Sequence, residues 1–134
     1  MANAVYPKYK SAIARNLANS NVLATAVKAA LVDTDTYSYS TSHEFLSDLS
    51  GVVGTAVEVT NFTVSANADF DGDNVVFQSV SGATVEAVVL YIDTGTAGTS
   101  RLVAYIDSGV TGLPVTPNGG DINLNWNAAG IFTL

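Results

Sequence analysis

Cysteine is absent from this 134-residue chain, which excludes both a disulfide framework and a thiolate metal site. Histidine occurs once, as His43. With no thiol and one imidazole, a nucleophile, its base and an orienting group have almost no residues to draw on. The glycine-rich phosphate motifs G-x-x-x-x-G-K and G-x-G-x-x-G are missing too, so an enzyme is not expected. No apolar run approaches the roughly 18 residues of a membrane helix, and a membrane partner is not expected either. No apolar stretch of about 7–15 residues follows Lys8, Lys10 and Arg15, which speaks against a secretory signal.

Charge is also scarce, at 13% of residues against about 25% in ordinary soluble domains. Hydroxyls, amides, glycine and alanine take its place, a composition that suits β-rich proteins living in assemblies. Positive charge is rarest, with five Lys and Arg against twelve acids. Four of the five, Lys8, Lys10, Arg15 and Lys28, lie in residues 1–32, which contain no acid, while residues 33–134 hold all twelve acids and Arg101. Such asymmetry fits either a solvated basic helix or a basic arm that docks on an acidic partner. The acidic body disfavours nucleic acid, whose binding needs a basic stripe.

What is present is β pattern, in one domain spanning residues 1–134. Val88 to Gly95 and Leu102 to Gly109 nearly repeat each other, each an apolar run closed by Tyr-Ile-Asp-(Thr/Ser)-Gly. β-Branched and aromatic residues stopped by Asp and Gly predict two strands of an antiparallel hairpin. Neither strand alternates with polar residues, so both faces are expected to be covered. Ile122, Leu124 and Trp126 alternate with polar residues, the pattern of a half-buried strand with Trp126 in the core. Further strands are expected within Val22–Val32, around Val57–Val64 with a bend at Asn61, at Val75–Val80 and at Ile131–Leu134.

Residues 1–5 are read as a mobile arm. A helix is expected from Pro7 to Asn19, where Tyr9, Ile13 and Leu17 recur at helical spacing. Residues 1–19 together form an N-terminal arm and helix. Thr41-Ser42-His43-Glu44 has the form of a capping box opening a second short helix. The expected fold is mainly β: an antiparallel β-sandwich with a short N-terminal helix and a second short helix.

Asp69, Asp71 and Asp73 form the one cluster with a metal-like spacing, and Ca²⁺ is its only candidate ion. Glycine falls at the fourth position rather than the sixth of an EF-hand loop, and Val80 stands where the closing Glu belongs. An acidic hairpin turn explains the run without an ion, and no cofactor is expected. His43 reads as a helix-start residue. Asp93 and Asp107 end equivalent strands, and an antiparallel hairpin would hold them apart.

Several segments carry a family resemblance: Val5-Tyr6-Pro7-Lys8-Tyr9, Val27–Thr34, His43-Glu44-Phe45-Leu46-Ser47-Asp48, Leu102–Asp107 and Leu113-Pro114-Val115-Thr116-Pro117-Asn118-Gly119-Gly120-Asp121. In that order the chain resembles a family of small tailed-bacteriophage virion structural proteins over nearly its whole length. The resemblance implies a non-enzymatic virion component. Its preferred placement is a capsid decoration (cement) protein on the outer capsid surface, bound to the major capsid protein, to itself as a homo-oligomer such as a trimer, or to both. A tail, neck or fibre-associated β-module, touching host glycans, is the alternative. Contact residues are expected in the N-terminal segment (Tyr6, Lys8, Lys10, Arg15), the 34–41 loop (Tyr37, Tyr39) and the proline-rich loop (Leu113, Pro114).

Overall fold

In the computed structural model, which describes residues 3–134, ten strands run as β1 (Ala4–Val5), β2 (Val27–Val32), β3 (Val52–Glu58), β4 (Thr63–Val64), β5 (Asp69–Asp71), β6 (Val75–Phe77), β7 (Ala87–Ile92), β8 (Leu102–Ile106), β9 (Ile122–Leu124) and β10 (Phe132–Thr133). Helix α1 spans Pro7–Ala14, and a 3₁₀ turn spans Leu46–Asp48. The strands form a five-stranded sheet in the order β1-β8-β7-β2-β3, a three-stranded sheet β10-β5-β4 and a two-stranded ribbon β6-β9. Every ladder is antiparallel. The chain is thus mainly β, with layered antiparallel sheets.

The near-repeat forms the two central strands. β7 and β8 pair as a hairpin, with Val89 opposite Tyr105 and Leu90 opposite Ala104, and every residue of both strands is buried. Runs with no polar alternation belong where both faces are covered. One contiguous cluster joins these strands to Phe77, Leu124 and Phe70 from the smaller sheets, to Trp126 just after β9, and to Tyr6 and Tyr9 from the N-terminal segment. Trp126 is in the core, as its alternation implies, and its indole N–H donates to the carbonyl of Asp73 at 2.8 Å.

The N-terminal segment differs from the mobile arm expected of it. Ala4 and Val5 add an edge strand to β8. Asn3 fastens that strand: its side-chain oxygen accepts from the N–H groups of Asp107 (2.7 Å) and Ser108 (3.0 Å). Met1 and Ala2, also part of that expectation, lie outside the described residues. α1 is shorter than expected because Asn16, not Asn19, ends it. Asn16 sits at φ 51°; its N–H donates to Ile13, and the Leu17 N–H reaches back to Ala12 at 2.9 Å. Those two bonds are the Schellman closure that a left-handed residue after a helix makes.

Two other boundaries moved. Residues 22–25 are turn rather than strand, since the Asn21 side chain accepts from the Leu23 N–H; β2 therefore begins at Val27. The expected capping box at Thr41–Glu44 is not what starts the 3₁₀ turn. Asp48, inside the turn, accepts from the N–H groups of Glu44 (2.8 Å) and Phe45 (3.2 Å). Those two bonds to the charged form hold the Asp48 carboxyl below its ordinary range. The bend at Asn61 is present, at φ 52°.

Candidate functional site

Asp33 folds the segment after β2 back over the sheet. Its carbonyl accepts from the N–H groups of Thr36 and Tyr37, and its carboxylate accepts from the Asp35 N–H (3.0 Å) and the Thr36 hydroxyl (3.2 Å). The turn drives Tyr37 inward, where it meets Tyr6, placed there by β1. Their hydroxyls lie 2.8 Å apart, and the Tyr37 hydroxyl is 2.8 Å from His43 Nδ1. With Tyr6 donating to Tyr37 and Tyr37 donating to His43, each hydroxyl proton is used. Tyr39 lies over this chain, its ring 5.0 Å from that of Tyr6 and 5.6 Å from that of Tyr105.

Above these rings is a groove of about 590 Å³. Tyr37 and Tyr39 line it from the 34–41 loop, Pro114 from the proline-rich loop, Tyr105 from the end of β8, and Glu86 and Asp107 supply carboxylates. Two of the three segments expected to make contacts therefore converge on one concave surface. The third does not: Lys8 and Lys10 are exposed along α1 and Arg15 just past its end, and Lys10 lines a neighbouring groove of about 530 Å³ between β1 and β10.

Individual residues need correction. Tyr6 and Tyr37, expected as contact residues, are buried at 0% and 2% exposure and serve the fold; an aromatic in a polar loop resembles a surface anchor until its partner, 31 residues away, is placed. Tyr39 is half-buried and Pro114 exposed, so both keep a surface to offer. Leu113 packs against the core. His43 is not a bare helix-start residue, because it terminates the tyrosine chain.

The acidic run does not converge. Asp69 accepts from the hydroxyl of Thr133 at 2.6 Å, Asp71 from the Gly72 N–H at 2.8 Å, and Asp73 from Thr60 and Asn61 at 2.9 and 2.7 Å. Each carboxylate is engaged separately: Asp69 across the β5–β10 pair, Asp73 with the 60–61 turn and Asp71 with its next residue. Among the described residues the acids that do gather are Asp33, Asp35 and Glu86, whose oxygens lie within 4.8 Å of one another. Asp93 and Asp107 fall at opposite ends of the hairpin, as its register requires; Asp93 pairs with Lys28 at 3.1 Å. The buried Arg101 was not singled out from sequence: it donates to the carbonyl of Ala18 (2.8 Å), pairs with Glu44 (3.0 Å) and lies over the Phe45 ring. Its only sequence signal is a lone cation beside an apolar strand.

All six tyrosines sit in surroundings that resist ionisation. Burial is the leading cause for Tyr6, Tyr9, Tyr37, Tyr39 and Tyr91, each raised, and for Tyr105, pushed up to about 12 with the Asp107 carboxylate as the next cause. A phenol whose pKa is higher in the folded state contributes stability that is intact below its unfolded value and is lost as pH rises through the folded one. Absorbance at the tyrosinate band is therefore expected to stay flat to above about pH 10, the free-phenol value, and then to rise in one step with alkaline unfolding. A gradual rise centred near pH 10 while the fold is intact would contradict this environment.

A scan against models of protein families finds no match to this chain, and no curated protein matches it.

Proposed function

We propose that this chain is a non-enzymatic structural protein of a tailed-bacteriophage virion, a decoration protein that binds the outside of the major capsid lattice and stabilises the head. The observation that carries the proposal is the convergence of the 34–41 and 111–120 loops on the tyrosine groove. Both belong to segments expected to make contacts, and the second to a segment through which the chain resembles virion proteins. Aromatic rings already held by packing and a proline-bearing loop lose little conformational freedom on docking, so contact area there converts well into affinity. The weakly charged exterior supports the same reading, since a standard interface buries about 1,200–2,000 Å² in total and charge is depleted at its centre.

Tyr39 is the groove residue to test, because it is partly exposed and Tyr6 and Tyr37 beneath it are not. Tyr39→Ala is expected to weaken cosedimentation with heads lacking the chain by about tenfold, equivalent to about 1.4 kcal/mol, with the fold retained by circular dichroism. Unchanged binding would remove the groove from the interface.

A second reading rests on the same residues. Tyrosine rings beside the carboxylates of Glu86 and Asp107 also suit a sugar, which stacks its apolar face on a ring and donates hydroxyls to an acid. On that reading the chain is a tail, neck or fibre module. Retention on immobilised host glycans, lost in Tyr39→Ala, together with no affinity for heads, would select it.

A further inference from the structure

The chain's own charges define a second occupant for the groove. Among the described residues, two of the five cations are consumed internally, Lys28 by Asp93 and Arg101 by Glu44. Lys8, Lys10 and Arg15 are left exposed and without an ion pair, all on or at the end of α1. α1 carries no acid, and its solvent side faces water with positive charge alone. The groove has the opposite character. Tyr39, Tyr105 and Pro114 form its aromatic and apolar lining, Glu86 stands within it, and Asp33 and Asp35 lie beside Glu86. No cation is among its described lining residues.

We infer that the tyrosine groove of one copy receives the basic α1 of a second copy, so that the chain assembles with itself through charge complementarity. Lys and Arg side chains suit such a surface: the charged head pairs with carboxylates while the stem and cation lie on tyrosine rings. The complement is supplied by each molecule in equal amount, and α1 is held rigidly by buried Tyr9 and Ala12, so docking orders little new chain. Contacts between two different patches of one chain close into rings when the rotation allows. The inference goes beyond capsid binding: a groove that holds a second copy's α1 is closed to the capsid, so the two occupants compete for it, and the experiment below separates them.

Analytical ultracentrifugation of the full chain tests it. Concentration-dependent association is expected at low ionic strength, weakening as the Debye length shrinks from about 30 Å at 0.01 M salt to about 8 Å at 0.15 M. The triple substitution Lys8→Glu, Lys10→Glu, Arg15→Glu is expected to weaken association at least tenfold, as is Asp35→Lys with Glu86→Gln. Mixing the two variant sets should produce a mixed complex, because the α1 variant keeps the native acidic groove and the groove variant keeps the native basic α1. Circular dichroism checks that each variant folds; α1's cations are exposed, and because the Glu86 carboxylate accepts from the N–H and hydroxyl of Thr34, Asp35→Lys alone serves if Glu86→Gln perturbs that turn. A monomer at every concentration, or association unmoved by the α1 substitutions, would overturn the inference. A monomer that still sediments with heads would overturn it while leaving the virion reading intact.

Discussion

Deleting residues 1–14 is expected to abolish cooperative folding. A charged arm that merely reaches over a neighbour could be removed with only binding lost, and the sequence read alone suggests such an arm. The structure places it inside the domain. β1 completes one edge of the central sheet, and Tyr6, Tyr9 and Ala12 are buried at 0%, 2% and 0% exposure. Truncating one large buried aromatic costs about 3–5 kcal/mol, and two are lost together with the β1–β8 ladder. A whole domain has only about 5–15 kcal/mol of net stability. The remainder should therefore show no cooperative thermal transition. A transition within a few degrees of the full chain's would mean that β1 and α1 are ornaments on an independent core.

The second large effect is at Tyr37. Tyr37→Ala is expected to cost about 3–5 kcal/mol, because it empties a fully buried ring site. At roughly 4 °C per kcal/mol for a domain of this size, the melting temperature should fall by about 12–20 °C. Tyr37→Phe keeps the ring and removes the hydroxyl between Tyr6 and His43. It should cost about 1–3 kcal/mol, the range for leaving a buried partner unsatisfied. The ordering Ala worse than Phe is the informative part. Equal effects would assign the stability to the hydrogen bonds, and no effect from either would contradict the burial.

The parts of the fold legible in sequence are those whose signal is local. The central hairpin announces itself because apolar, β-branched runs and Asp-Gly stops occur within eight residues, and Trp126 does so by strict alternation. Asn16 shows the limit: both Asn16 and Asn19 are competent left-handed residues, and only the Schellman bonds to Ala12 and Ile13 decide which one ends α1. Tyr6 and Tyr37 mislead for a stronger reason. Tyr37 lies among polar neighbours and Tyr6 stands just before the cations Lys8 and Lys10, and the contact between their hydroxyls spans 31 residues. The groove is non-local in the same way, since it is assembled from the 34–39 turn, Glu86, the end of β8 and Pro114. Asp33 makes it possible by reversing the chain after β2, a role no spacing rule reveals. The alternately spaced Asp69, Asp71 and Asp73 are conspicuous in sequence, yet their carboxylates go to three separate partners: a neighbouring strand, the next residue and the 60–61 turn.

The proposal that this chain decorates a phage head is tested most directly by counting it in purified particles. Quantitative mass spectrometry of virions whose genome encodes the chain, with labelled antibody to locate it, measures copies relative to the major capsid protein. The expected result is a copy number in simple proportion to the capsid lattice, with label over the head. A handful of copies confined to the tail, or none in the particle, would contradict it.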